Sequence, residues 1–112
     1  MSEISAEDAK IITLARASRA RTGAAEGAAV RDETGRTYAA TSVDLPSLKL
    51  SALQVAVAMA VSSGAEDLEA AALVTADEQV RDADVAAVRD LGRKAPILLA
   101  APDGSVRATL VP

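Results

Sequence analysis

No histidine and no cysteine occurs anywhere in this chain, and Tyr38 is its single aromatic residue. The first two absences exclude disulfides, thiol nucleophiles, imidazole bases and the nitrogen and sulfur ligands that commonly hold zinc. The scarcity of aromatics removes any stacking platform for single-stranded nucleic acid. Sixteen acidic against twelve basic residues give a net charge of −4. That is the wrong sign for neutralising phosphates, so nucleic acid is not expected as a partner. No apolar run is long enough to cross a bilayer and no leader-like stretch follows Met1. No membrane partner is expected, and a cytoplasmic protein is.

What remains is a chain of 112 residues, half of them hydrophobic and drawn from Ala, Val, Leu and Ile. That length supports one core, so a single domain over residues 1–112 is expected, with closely packed layers of small aliphatic side chains. Ser5-Ala6-Glu7-Asp8 reads as a helix start, with a hydroxyl cap and two acids at the positive end of the dipole. The helix runs to about Ala20, with Ile4, Ile11, Leu14, Ala15 and Ser18 on one stripe. Ala28-Ala29-Val30, a turn at Asp32-Glu33-Thr34-Gly35, and Arg36 to Val43 read as a hairpin. Ser47 is placed to cap a second helix from Leu48 to about Ser63, with Gly64 as its stop. Ala70 to Thr75 reads as a central strand and Asp82 to Leu91 as a third helix stopped by Gly92. Pro96 to Ala100 and Val106 to Val111 are two closing strands joined by a turn at Pro102-Asp103-Gly104. The order α-β-β-α-β-α-β-β predicts an α/β fold, a three-layer α-β-α sandwich around a mixed five-stranded sheet.

Between Leu50 and Val61 the second helix carries no charge, which predicts burial nearly all round. One small layer cannot cover it, so a second subunit is expected against Leu50, Leu53, Gln54, Val57, Met59 and Val61. Two charged groups invite functional readings. Arg16, Arg19 and Arg21 cluster near the end of the first helix, where the dipole favours cations, and the alternative is an anion or RNA-phosphate patch. The acids at Glu66, Asp67 and Glu69, and at Asp77, Glu78, Asp82 and Asp84, read as a solvated face rather than a hard-cation site, since no EF-hand spacing is present. No Gly-x-Ser-x-Gly, Ser-x-x-Lys or P-loop pattern occurs, and Gly23 to Gly27 leads into a strand, where a phosphate cradle opens a helix.

The element order joins several local matches. They are Leu14-Ala15-Arg16-Ala17, Glu26-Gly27-Ala28-Ala29-Val30, Asp32-Glu33-Thr34-Gly35-Arg36, Ser42-Val43-Asp44, and the tail from Ala95-Pro96-Ile97 to Ser105-Val106-Arg107. Together they resemble the small zinc-dependent cytidine deaminases that act on free nucleosides. The resemblance covers nearly the whole chain. It implies a zinc with three ligands and a proton-shuttling Glu, supplied by His- or Cys-Ala-Glu near the start of helix two and Pro-Cys-x-x-Cys at the start of helix three. At those positions stand Ser51-Ala52-Leu53, and Val80, Arg81 and Asp84. A hydroxyl binds zinc weakly, a hydrocarbon moves no proton, and a guanidinium repels the metal. Gly23 and Ala24 replace the Asn and Phe that help to hold the nucleoside.

The resulting expectation is a degenerate member of that family, with no zinc or other cofactor and no catalytic residues. It would not be an enzyme, and would act by homo-oligomeric assembly, as the family's tetramers imply, or by binding another protein. The old pocket is expected to be partly filled by Leu53 and partly bridged by an Arg81–Asp84 pair at i,i+3 spacing, unless both face solvent. Asp44 stands where the resemblance places a ribose-binding Glu, so the alternative is a nucleoside or small-molecule binder lined by Ser42, Asp44 and Ser51. A third reading is a true deaminase with an atypical metal site on Ser51 and Asp84.

Overall fold

The computed structural model describes residues 4–112; the reading of the stretch that follows Met1 falls in part outside them. The Ser5 hydroxyl accepts from the Asp8 amide at 3.1 Å and opens α1 (Ala6–Thr22), which ends at Gly23 in the left-handed region, φ 67°. Then follow β1 (Glu26–Asp32), β2 (Thr37–Thr41), β3 (Val43–Leu45), β4 (Leu48–Leu50), α2 (Ala52–Ser62), β5 (Leu68–Thr75), α3 (Asp82–Leu91), β6 (Ile97–Ala100) and β7 (Val106–Leu110).

Five strands form one sheet in the order β2-β1-β5-β6-β7. β1 is antiparallel to both neighbours, β6 runs parallel to β5 across the α3 crossover, and β7 returns antiparallel. Strand residues alternate between two cores, as the pleat requires. Ala29, Ala70, Ala72, Val74 and Leu98 meet Ile11, Ile12 and Ala15 of α1. Ala28, Val30, Ala71, Leu73 and Ile97 meet α2 and α3 on the opposite face. The expected three-layer sandwich and mixed sheet are therefore present. Among the described residues no helix is long and apolar enough to cross a membrane.

The layers lie very close. A Cβ on Gly27 would stand 2.1 Å from the carbonyl oxygen of Ala15, so only glycine lets α1 rest on β1 there. Arg31 pins the same strand from its other end. It donates to Asp8 of α1 at 3.0 Å and to Glu69 of β5 at 2.8 Å.

Two expectations about the second helix are corrected. It starts at Ala52, not Leu48, because Ser51 rather than Ser47 is its cap: the Ser51 hydroxyl accepts from the Gln54 amide while Gln54 Oε1 accepts from the Ser51 amide. The released residues Leu48–Leu50 pair with Val43–Leu45 as a two-stranded arm turned at Pro46-Ser47. Nor is the helix buried all round within this chain. Ala52, Leu53, Ala56, Val57 and Ala60 face the sheet and α3, whereas Met59 is 40% and Val61 53% exposed.

The β1–β2 turn is organised by one buried carboxylate. Asp32 Oδ1 accepts from the Thr34 amide at 2.9 Å, the Thr34 hydroxyl at 2.7 Å and the Arg36 amide at 3.0 Å, while Oδ2 accepts from the Tyr38 hydroxyl at 2.8 Å. Burial alone would raise the pKa of Asp32, but these donors outweigh it and hold the carboxyl below the ordinary range. The charged form is thus favoured by folding. Its stabilisation is complete above the unfolded-chain value of about 4 and is lost as pH falls through the lower folded value. Asp32→Asn is expected to cost about 2 kcal/mol at neutral pH. In urea melts its deficit against the native chain should shrink on acidification below about pH 4; a deficit independent of pH would refute this account.

Candidate functional site

The site lies at the carboxyl end of β5, where α/β sheets commonly hold ligands. β5 ends at Thr75, paired with Glu26 at the start of β1. The chain then turns through Ala76 and Asp77, whose carbonyls accept from Arg107 of β7 at 3.0 and 2.8 Å. That clamp delivers residues 80–84 to the start of α3 opposite the start of α2. Two helix N-termini, each with unpaired amides and a partial positive charge, face one cleft.

Three charged side chains fill the junction. Glu26, its side chain 5% exposed, accepts from the Ala52 amide of α2 at 3.0 Å. Arg81 Nη2 donates to both oxygens of Glu26 at 2.9 Å. The same nitrogen is 3.4 Å from Asp84 Oδ2, and Nη1 is 3.9 Å from Asp77. Burial opposes the Arg81 charge, but Glu26, Asp84 and Asp77 outweigh it and raise its pKa. Asp84, 1% exposed, accepts from the Ser51 hydroxyl at 2.5 Å through Oδ1, joining the first turns of the two helices. Its Oδ2 has no hydrogen bond among the described residues.

In front of this junction opens a cleft of about 610 Å³, whose walls include Arg19, Ser42, Asp44, Lys49, Ser51 and Gln54. Ser42 and Asp44 thus share one cleft with Ser51, Arg81 and Asp84. Asp44 is exposed at the rim and stands 3.8 Å from Lys49. Leu53 does not enter the cleft, contrary to the expected filling; it is fully buried in the α2–sheet core, and Val80 packs into the same core. The expected interface set is corrected with it. Leu53 and Val57 point into the chain's own core, Leu50 and Gln54 line the cleft, and Met59 and Val61 are the members left exposed.

Glu26 was not expected here. Its signal was an acid followed directly by Gly, Ala, Ala and Val at the start of a strand, a position that demands a partner for the charge. In the arginine cluster, Arg16 donates to the Pro102 carbonyl at 3.0 Å and Arg19 to the Ala25 carbonyl at 3.1 Å. Both are engaged with backbone. Among the described residues no group of three acids converges as a metal-holding cluster.

The cytidine deaminase-like family model matches residues 4–104. The chain belongs to the cytidine deaminase-like family. Its fold is shared with a solved cytidine deaminase from Burkholderia pseudomallei, at 21% identity and TM-score 0.79 over 91% of this chain and 90% of that one. A cytidine deaminase from Mycobacterium leprae matches at 19% identity and TM-score 0.71 over 95% and 94% of the two chains. No curated protein sequence matches significantly.

The expectation that the chain is not an enzyme is corrected by this finding. The family it belongs to is named for deaminases, and the two solved structures described above are cytidine deaminases, which are enzymes. The expectation went from residues missing at family positions to missing activity.

A zinc ion does not fit the donors of this cytidine deaminase-like site. Two ligands on one tetrahedral zinc stand about 3.4 Å apart, whereas Ser51 Oγ and Asp84 Oδ1 are 2.5 Å apart and bonded to each other. Arg81 adds a positive charge beside them. Ser51 instead ties the first turn of α2 to that of α3. Ser51→Ala removes the α2 cap and the donor to a buried carboxylate, so a loss of about 2 kcal/mol is expected in urea unfolding. A loss below ~0.5 kcal/mol, the range of an ordinary surface change, would count against that role.

Proposed function

We propose that the cleft binds a nucleoside or a closely related small polar molecule. The observation that carries this reading is the convergence of Glu26, Arg81, Asp84 and Ser51 at the base of a cleft whose rim holds Ser42 and Asp44. Its volume of about 610 Å³ lies in the range of small-molecule sites. A nucleoside carries what these groups recognise: ring carbonyl and nitrogen acceptors for a guanidinium, and sugar hydroxyls for a carboxylate. Membership of the cytidine deaminase-like family supports the same class of ligand.

The test is a thermal-shift titration with pyrimidine and purine nucleosides, run beside an ultraviolet deamination assay. Saturable stabilisation by at least one nucleoside is expected, rising by about 2.7 kcal/mol at a hundredfold excess over its dissociation constant. Asp44→Ala, a change at an exposed rim position, should weaken it about tenfold without altering the melting of the free protein. Stabilisation by none of them, with no turnover, overturns the reading.

A second reading concerns assembly. We propose that the chain associates with copies of itself as a dimer or tetramer through the outer side of α2 and the tip of the β3–β4 arm. Met59, Val61, Leu45 and Leu48 are large apolar side chains left exposed on these two elements, and such surface is costly to leave in water. Sedimentation at micromolar concentration should show an oligomer that Met59→Glu with Val61→Glu weakens by at least tenfold. A monomeric native chain refutes it.

A further inference from the structure

We infer that the Arg81 guanidinium is the resident cation of this site, the charge around which the N-termini of α2 and α3 are assembled in place of a metal ion. The inference does not depend on what the cleft binds.

Two carboxylates are buried at the junction, Glu26 from β1 and Asp84 from α3. Neither belongs to α2, yet both touch it. Glu26 takes the first amide of the helix and Asp84 takes the hydroxyl of its cap. Buried carboxylates this close need a positive charge between them. Arg81 supplies it, with Glu26 at 2.9 Å on one side and Asp84 at 3.4 Å on the other. Asp84 Oδ2 makes no hydrogen bond among the described residues, so the nearby guanidinium is what compensates that oxygen. One nitrogen, Nη2, lies between the two acids, while Nη1 is turned toward Asp77 at 3.9 Å. Its outer half stays open to the cleft, since the side chain is 53% exposed. A guanidinium lost from this place leaves a gap that a free guanidinium ion can enter from solvent.

The experiment compares the native chain with Arg81→Ala, Arg81→Met, Glu26→Gln and the Arg81→Met/Glu26→Gln double variant, all followed by thermal melting. Arg81→Ala should melt about 10 °C lower or more, as breaking a buried pair in a domain of this size implies. Guanidinium chloride at low millimolar concentration should recover part of that loss, while equal sodium chloride or urea does not. The double variant should lose clearly less than the two single variants together, because the Glu26 charge is removed along with its partner and only Asp84 is left uncompensated. If Arg81→Ala is too unstable to purify, the double variant carries the test, since it should fold. Zinc and a chelator should leave native melting unmoved. Additive losses in the cycle, an Arg81→Met melt equal to that of the native chain, or stabilisation by zinc would each overturn the inference.

Discussion

A carboxylate excluded from water has to be met by donors and a countercharge, or folding carries an uncompensated cost of several kcal/mol. Glu26 imposes that demand at the start of β1, and the architecture around the cleft follows from how it is met. One of its oxygens draws in the first amide of α2, and both draw in Arg81 from the start of α3. A single side chain of the sheet thereby sets the approach of two helices. Asp84 and Ser51 then close the ring between those helices. Two helix dipoles and a guanidinium on one side of the account face two carboxylates on the other, so the junction is close to neutral although every member is charged or polar.

That junction can form only if the layers come close, and the composition ensures it. A sheet filled with Ala, Gly and Val brings helices nearer than one filled with aromatics. At Gly27 the backbone of α1 rests directly on β1. The C-terminal end of α1 therefore reaches the cleft, where Arg19 forms part of the wall while bonding the Ala25 carbonyl. The near absence of aromatic residues, which excludes stacking chemistry, also leaves room for that close approach of α1 to β1.

Elements with local signals were legible before the structure: the Ser5 cap, the Asp32-Glu33-Thr34-Gly35 turn and the span of α3 all depend on neighbours within a few residues. The start of α2 was not, because Ser47 and Ser51 are equally able caps; Gln54, three residues after Ser51, completes the box that decides between them. The candidate site was legible as a set of positions, since Ser42, Asp44, Ser51, Arg81 and Asp84 share one cleft. Its central acid was not. Glu26 acts on residues 26 and 55 positions away, a separation that no local pattern encodes. Leu53 misled for a different reason: its number in the motif placed it at the site, while helix geometry turns it into the core.

Family membership and the local donor set constrain the cleft in different ways, and fold alone does not choose its chemistry. The fold opens its cleft at the carboxyl end of β5. The donor set then orders what can sit there. Arg81, saturated by acids on its inner side, presents donors outward, and Asp44 at the rim presents acceptors. Under the proposed reading a bound molecule would be turned so that its acceptor atoms face Arg81 and its hydroxyls face the rim. Lys49, 3.8 Å from Asp44, moderates the rim charge without saturating it. Under the proposed reading the guanidinium that holds the fold together is also the group that the base of a nucleoside would face at the floor of the cleft.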